Sequence, residues 1–403
     1  MDVAPEAEAP ERIQPRPRRG GRLGGMVAAL SLVLVIALWG ITAAGREWSA
    51  PPATLSAAVT FLPYLYASGL AFVFLAWCAF PDRPSLPVLL GTLAVTGGAL
   101  WGPGLRRDAD LEPGTPLKVM SWNVRRLWGG PGSVGAPEDV AAATQCVAQA
   151  IALEEPDVLS LLEVSRRDLD ALTAELDLAC VHSDYWGSDD PDRGGLATCV
   201  RGDRWQLRGG SARRFVDAES WTYVLAEIEG QGKLFNFLAV HLHPYGFSAD
   251  RLREGAAELA KGEPEKLFEL ARSGEAIFRA QGNQSAALLE HVARFHDPTV
   301  VAGDFNSTPD TALHVALRDH LVDAWARGGR GFGGTVHFLD RLPLRVDYVY
   351  VSDAFAVHGA TVPATACSDH LPVVAELTLK QGLDVEGDGV KPIPGEKDAG
   401  TAP

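Results

Sequence analysis

The chain lacks the features that would place it in several common protein classes. Its 403 residues carry a formal net charge of −15 at pH 7, so it has no general surplus of Lys and Arg. Tight non-specific binding of duplex nucleic acid relies on such a surplus, and the acidic balance argues against it. The five cysteines show no CxxC spacing, which indicates that there is no structural zinc site. No internal repeat is apparent.

Charged residues are also missing from one long stretch near the N-terminus, Met26 to Ala44. Two further apolar runs extend from about Thr54 to Phe80 and from about Leu86 to Trp101. Because roughly 20 apolar residues span the hydrocarbon of a bilayer as a helix, these runs predict three transmembrane helices over 26–101, of which the third is borderline in length. A cleaved signal peptide is the alternative for the first run, since Thr42-Ala43-Ala44 loosely fits a cleavage site.

Arginines in the N-terminal tail predict the orientation of these helices. Five precede the first apolar run: Arg12, Arg16, Arg18, Arg19 and Arg22. By the positive-inside rule they keep the N-terminus in the cytoplasm, and three crossings then place everything after Trp101 on the outside. Two crossings would leave the large domain in the cytoplasm. We therefore predict a multi-pass protein of the cell membrane with an extracytoplasmic catalytic domain and the lipid bilayer as a partner.

The remaining sequence divides into one large domain and two tails. Residues 1–25 and 381–403 are rich in Pro, Gly and charged residues and poor in apolar side chains, which is typical of disorder. Residues 102–380 have the composition of a globular domain. An oxidising compartment would permit a disulfide in this domain, and the sequence does not favour one pairing among its four cysteines: Cys146, Cys180, Cys199 and Cys367.

Polar side chains recur at the ends of apolar segments that predict strands. Residues two apart in a strand lie on the same face, so Asp304 and Asn306 in VVAGDFN would project together. A capping Asp and a turn-forming Asn are the ordinary alternative for that pair. The pattern recurs, however, and such groups at one sheet rim suit an oxygen-liganded divalent cation and a phosphate. The positions are Asn123, Glu163, His241, Asp304, Asn306, Asp347, Asp369 and His370.

Six segments resemble, in order, the motifs of the endonuclease/exonuclease/phosphatase superfamily: SWNV, PDVLSLLEV, AVHLH, VVAGDFN, RVDYVYV and CSDHLPV. The superfamily includes deoxyribonucleases, abasic-site endonucleases, neutral sphingomyelinases and inositol-polyphosphate 5-phosphatases. The resemblance covers about 117–379. It implies an α/β fold, a four-layer αββα sandwich with two facing mixed sheets, with the active site at the sheet rim. Here the sandwich would follow the transmembrane helices.

The resemblance also implies a metal site for Mg²⁺, with Mn²⁺ as an alternative. Glu163 would be the principal ligand, and Asn123 and Asp369 would help to place the metal or its waters. Asp304 would orient or deprotonate the attacking water. Asn306 would donate a hydrogen bond to a phosphate oxygen.

The two histidines receive different roles from the resemblance. His370 would bind the phosphate and stabilise negative charge, whereas His241, paired with Asp347, would protonate the leaving oxygen or stabilise the transition state. The chain departs from the family pattern in a long insertion over 244–290, whose apolar spacing predicts amphipathic helices beside His241. Such helices would either cap the site or decorate the surface.

The sequence therefore predicts a membrane-anchored, metal-dependent phosphoesterase acting on a phospholipid, a small phosphoester or nucleic acid. A surface-tethered nuclease and a catalytically silent binding scaffold are the alternatives, and the filled polar positions argue against the scaffold. No protein partner can be inferred. Several aromatic residues would stack on a base, lie at a membrane interface or pack in the core: Trp122, Trp128, Tyr185, Trp186 and Trp221.

Overall fold

The structure is a computed structural model. It describes residues 21–48, 51–101, 112–127, 140–186, 190–202, 204–214, 222–244, 261, 279–295, 297–338 and 341–381. The tails 1–20 and 382–403 and most of the 244–290 insertion, for which we predicted disorder and helices, lie outside the described residues. The chain divides into two compact units, one of Met1–Trp39 with Pro63–Ala99 and the other of Gly40–Leu62 with Leu100–Pro403.

In the described part of the chain, four helices precede the first strand. They are α1 (Gly21–Glu47), α2 (Ala53–Thr60), α3 (Leu62–Ala79) and α4 (Ser85–Trp101). Helices α1 and α3 are long and apolar enough to cross a bilayer, a criterion that signal sequences and buried core helices also meet. With 17 residues, α4 falls short of it.

Two details of the predicted N-terminal helices are wrong. The apolar run from Thr54 to Phe80 is not one helix, because it is interrupted at Phe61. Pro63 follows closely, and because a proline has no backbone N–H it cannot continue the hydrogen bonding of the preceding helix. Helix α1 begins at Gly21, so the predicted disordered tail extends at least five residues too far.

Two mixed six-stranded sheets lie in the second unit, which is called the catalytic unit below because it contains the domain for which the sequence predicts catalysis. The first has the order β13-β14-β1-β2-β4-β3, where these are Phe355–Thr361, Val373–Lys380, Gly114–Asn123, Val158–Val164, Gly195–Arg201 and Leu178–Asp184. The second has the order β5-β6-β7-β8-β12-β9, where these are Gln206–Arg214, Thr222–Gly230, Lys233–His241, Thr299–Asp304, Asp347–Val351 and Val322–Asp323. A separate hairpin joins β10 (Val336–Phe338) to β11 (Leu342–Leu344).

Alternation of side chains along the strands builds the layers. In β1, Val119 faces the core between the sheets, while Met120 and Trp122 face the outer helices. Helices α5 (Val140–Glu154) and α6 (Arg166–Glu175) cover the first sheet. A helix over 279–292, α7, and α8 (Ala312–Leu317) cover the second. The predicted four-layer αββα sandwich is therefore confirmed.

The parallel strand pairs determine where polar strand ends meet. Strand β1 runs parallel to β2, and β7 runs parallel to β8, so each pair ends at one rim of its sheet. Gly303 lets β8 lie close to β7, because a Cβ at this position would be 1.8 Å from the Val240 carbonyl oxygen. Strands that are far apart in the sequence therefore end next to one another at the rim.

The end of α1 and the segment between α1 and α3, together Gly40–Leu62, belong by contact to the catalytic unit. Arg46 Nη2 donates to Asp310 Oδ1 at 2.9 Å, just after the GDFN segment. At the other end of the segment, the rings of Phe61 and Phe338 lie 4.8 Å apart. These contacts hold the connection between α1 and α3 against the catalytic unit.

Two disulfides lie in the catalytic unit. Cys146 on α5 pairs with Cys367, and Cys180 on β3 pairs with Cys199 on β4. The first bond ties the segment immediately before Ser368 to the helix layer. All four cysteines that the sequence left open for pairing are used.

Candidate active site

Three buried polar residues lie side by side across the second sheet. In the strand register His241 on β7 is opposite Asp304 on β8, and Asp304 is opposite Asp347 on β12. Their exposed fractions are 2%, 1% and 1%. Burying a charged side chain costs free energy unless the charge is paired. These two carboxylates and the imidazole therefore need hydrogen-bond or ionic partners inside the protein.

Glu163 reaches the same rim because β2 is irregular there. The pairing of β2 with β4 shifts between Leu162 and Val164, and Glu163 has a positive φ of 53°. A bulge of this kind re-aims a side chain that would otherwise follow the strand alternation. Asn123 links Glu163 to the row, because its Nδ2 donates to Glu163 Oε1 at 2.9 Å and to Asp304 Oδ2 at 3.2 Å.

Asn306 occupies a strained turn next to Asp304. Its φ is 47°, in the left-handed region that non-glycine residues adopt rarely, and its backbone N–H donates to Asp304 Oδ1 at 2.8 Å. The Asn306 side chain donates to the Leu242 carbonyl at 2.9 Å. Gln281 of α7 also holds this turn, by donating to the carbonyls of Phe305 and Asn306 at 3.2 and 3.1 Å.

His370 enters the row from the first sheet's side of the rim. Its Nδ1 donates to Asp347 Oδ2 at 2.9 Å, and its Nε2 lies 3.8 Å from Asp304 Oδ2. Burial by itself lowers the pKa of His370, but the carboxylates of Asp347 and Asp304 together outweigh it and raise that pKa to about 10. The imidazole is therefore a cation at neutral pH.

The predicted pairing of His241 with Asp347 is wrong. Strand β8 lies between β7 and β12, so Asp304 separates the two residues, and Asp347 accepts from His370 instead. His241 Nδ1 lies 2.6 Å from the hydroxyl of Tyr185. Burial, followed by the nearby imidazoles of His370 and His243, lowers the pKa of His241 to about 3, which keeps its ring neutral.

The carboxylates at the rim fit a divalent cation. Burial and the neighbouring Asp347 raise the pKa of Asp304, and Asp347 Oδ1 is buried with no hydrogen-bond partner among the described residues. One polar side-chain atom from each of Asp304, Asp347 and His370 lies within 4.8 Å of the others, and of these the two carboxylates could hold a cation while His370 is an imidazolium. Hard carboxylate and amide oxygens are the donors that Mg²⁺ prefers, and Glu163 and Asn123 extend this oxygen set.

Asp369 is the predicted metal ligand that the structure places differently. Its side chain is 42% exposed and forms an ion pair with Arg125 at 3.0 Å. The neighbouring Ser368 donates to the Asn123 carbonyl at 2.8 Å, and Trp122 Nε1 donates to the His370 carbonyl at 2.9 Å. These two bonds join the SDH segment to the end of β1, so the segment is fixed even though Asp369 faces outward.

Among the aromatic residues considered from the sequence, Trp122 and Tyr185 are buried, at 0% and 5% exposure. Trp186 is 53% exposed, with the Arg193 guanidinium 5.4 Å from its ring. Trp128 and Trp221 lie outside the described residues. Sequence reasoning missed the contact of Tyr185 with His241. The only signal available was its position directly after a strand-like segment.

The fold and this rim define a class of proteins: αββα sandwiches with a carboxylate and histidine site between the ends of two mixed sheets. The sequence profile of the Endonuclease/Exonuclease/phosphatase family matches residues 120–370, and the chain belongs to this family. Members of the superfamily are hydrolases that act on phosphoester bonds.

Several solved structures are similar to this chain. An endonuclease/exonuclease/phosphatase protein from Bacteroides vulgatus is 18% identical, with 66% of this chain and 100% of that chain covered and a TM-score of 0.46. The human Nocturnin catalytic domain with a bound sulfate anion is 18% identical, with 68% and 98% covered and a TM-score of 0.46. Humanized D. rerio TDP2 is 16% identical, with 65% and 99% covered and a TM-score of 0.49. No curated protein matches.

Proposed function

We propose that the chain hydrolyses a P–O ester bond by cation-assisted attack of water on a phosphoryl group. The observation that carries this proposal is the buried arrangement of Asp304, Asp347 and His370, with Glu163 and Asn123 beside it. Family membership supports the reaction class. These five side chains carry no hydroxyl or thiol, so in this proposal water is the nucleophile.

Each side chain has a role that follows from its contacts. Asp304, whose pKa is raised by burial and by Asp347, is basic enough to orient the water and take its proton. His370 is held as a cation by Asp347 and offsets charge on the phosphoryl oxygens. Asn306, fixed in its turn by Asp304, lies beside them to bind a phosphate oxygen.

Glu163 and Asn123 would hold Mg²⁺, with Mn²⁺ as the alternative ion. A bound Mg²⁺ withdraws charge from a phosphate oxygen and so favours attack at phosphorus. Asp369, exposed and paired with Arg125, would act through the waters around the ion. The carboxylates of Asp304 and Asp347 supply the negative potential that attracts the cation.

For the substrate we propose a phospholipid or another small phosphoester. The apolar helices would bring the site to a membrane surface, and the net charge of −15 disfavours long polyanions. A nuclease is the second candidate, because the exposed Trp186 with Arg193 near its ring would accept a stacked base.

Hydrolysis by the purified full-length protein tests these proposals. The full chain is needed because residues 40–62 pack on the catalytic unit. The panel contains plasmid DNA, single-stranded RNA, sphingomyelin, phosphatidylinositol phosphates and bis-p-nitrophenyl phosphate, each with Mg²⁺ or with EDTA. We expect EDTA-sensitive hydrolysis of a lipid or of the small diester. Cleavage of plasmid or RNA alone would select the nuclease, and silence across the panel would support the scaffold.

We also propose that the catalytic unit lies outside the cytoplasm of a multi-pass protein. The last turn of α1, through Arg46, and the end of the connection to α3, through Phe61, contact the sandwich of the catalytic unit, so they lie on the same face of the bilayer as the sandwich. The chain passes from this connection to the sandwich through α3 and α4, which must therefore cross an even number of times. If α3 crosses, α4 crosses too. Its 17 residues extend about 25 Å, which slight thinning of the bilayer accommodates.

The two disulfides support the extracytoplasmic side, because thiols in the cytosol are kept reduced. Counting thiols in intact cells tests this. Free thiols are blocked with N-ethylmaleimide under denaturing conditions, disulfides are reduced, and the released thiols are labelled with maleimide-polyethylene glycol. We expect four labelled cysteines, since only Cys78 is free among those described. Labelling of none would place the catalytic unit in the cytoplasm.

A further inference from the structure

Tyr185 joins two parts of the candidate site that come from different sheets. It directly follows β3 and is 5% exposed. Its hydroxyl oxygen accepts a hydrogen bond from the backbone N–H of Glu163 at 3.0 Å. The same oxygen lies 2.6 Å from Nδ1 of His241, and the two rings meet edge to face with centroids 5.3 Å apart.

The direction of the bond to His241 follows from the bond to Glu163. A backbone N–H is a donor in every protonation state, so the phenolic oxygen must act as the acceptor there. A phenol also carries one proton, and the 2.6 Å contact offers it to His241 Nδ1. A short O–H···N bond in this direction leaves Nδ1 unprotonated.

The second ring nitrogen of His241 must then carry the proton. Nε2 lies 3.5 Å from Asp304 Oδ2, at the place where the phosphoryl group would bind under the proposed function. In a histidine whose Nδ1 accepts, Nε2–H is the only donor and the ring has no net charge. His370 differs, because its Nδ1 donates to a carboxylate.

We propose that Tyr185 is a positioning residue that fixes His241 as the Nε2–H tautomer, so that His241 presents a neutral hydrogen-bond donor to the phosphoryl group. That the phosphoryl group is the acceptor rests on the proposed function, whereas the tautomer of His241 does not. The two histidines then have different roles. His370 supplies a positive charge, and His241 supplies an oriented, uncharged hydrogen-bond donor. A neutral His241 does not protonate the leaving oxygen.

The chain contains a matched control. Tyr223 and His291 form a second tyrosine–histidine pair with ring centroids 5.3 Å apart and an interplanar angle of 71°, against 69° for Tyr185 and His241. In this pair the hydroxyl lies 3.3 Å from His291 Nδ1. Both residues are buried in the outer core of the second sheet and belong to no part of the candidate site. Tyr223→Phe is thus the same chemical change in a similar setting.

The test combines a spectroscopic and a kinetic measurement on the full-length protein. Nitrogen-15 spectra of histidine-labelled protein report which ring nitrogen carries the proton, with the His241 signals assigned through His241→Asn. We expect one neutral Nε2–H tautomer in the wild type and a mixture in Tyr185→Phe. With bis-p-nitrophenyl phosphate and Mg²⁺, we expect Tyr185→Phe to lower kcat about 10- to 100-fold with little change in KM, since an oriented donor acts mainly in the transition state. Tyr223→Phe should change neither measurement.

Three results would overturn the inference. One is an Nδ1–H tautomer or an imidazolium at His241 in the wild type at neutral pH. Another is an unchanged tautomer in Tyr185→Phe together with weaker Mn²⁺ binding by electron paramagnetic resonance, which would mean that Tyr185 acts through Glu163. The third is an equal loss of kcat in Tyr223→Phe. The tautomer is measured without turnover, so an inactive wild type would count against the proposed function and leave this test intact.

Discussion

We expect Glu163→Gln to lower turnover of a phosphoester at least about a hundredfold, because under the proposed function it would remove the charge that holds the cation while preserving the volume of the side chain. The glutamine can still accept the bond that Asn123 Nδ2 donates to Oε1, so the end of β1 keeps its contact. The fold should therefore be retained. We expect a wild-type circular dichroism spectrum and a weaker apparent affinity for Mg²⁺, measured from the dependence of the rate on metal concentration.

A matched control for this change is Glu376→Gln. Glu376 is an exposed residue of β14, so the same loss of one negative charge occurs on a strand away from the rim. Its turnover and metal dependence should equal those of the wild type. If Glu163→Gln retained near-normal turnover at all Mg²⁺ concentrations, the metal assignment of Glu163 would be wrong.

His370→Ala should also lower turnover at least about a hundredfold, because under the proposed function the site would lose the imidazolium that offsets phosphoryl charge. This variant has a second effect. Asp347 is 1% exposed and accepts from His370, so the substitution leaves its carboxylate without that partner. Removing one member of a buried pair costs about 3–5 kcal/mol of folding free energy. We expect a lower melting temperature as well as lower turnover.

The double variant His370→Ala/Asp347→Asn separates the two effects. Neutralising Asp347 removes the stranded charge, so the melting temperature should recover toward that of the wild type while turnover stays low. Recovery of turnover in the double variant would show that His370 acts only by supporting the fold. His320→Ala, which truncates an exposed histidine of the same unit, is the control and should affect neither quantity.

Some strand ends of the site could be located from local sequence, since apolar runs end at Asn123, His241 and Asp304. β8 ends at Asp304 and β7 ends at His241, as the segments VVAGDFN and AVHLH indicated. The contacts between these ends could not be located in this way. Which side chains become hydrogen-bond partners depends on the order of the strands. Because β8 lies between β7 and β12, Asp347 is separated from His241 and accepts a hydrogen bond from His370 instead.

Tyr185 is a second residue whose contacts could not be predicted from local sequence. An aromatic residue at a strand end is compatible with core packing, stacking or an interface role, and only its neighbours decide between them. Its neighbours are Glu163 and His241, which are 22 positions before it and 56 positions after it in the chain. A contact over such separations leaves no local pattern in the sequence.

The amino-acid sequence by itself determined the family, the layered α/β class and the polar residues that end β1, β7 and β8. These follow from short-range alternation of apolar and polar side chains and from motifs of a few residues. Tertiary structure alone decided the two disulfides, the packing of residues 40–62 on the catalytic unit, the outward placement of Asp369 and the partners of both histidines. Each of these depends on which strands and loops become neighbours, and that is set by the packing of the whole domain.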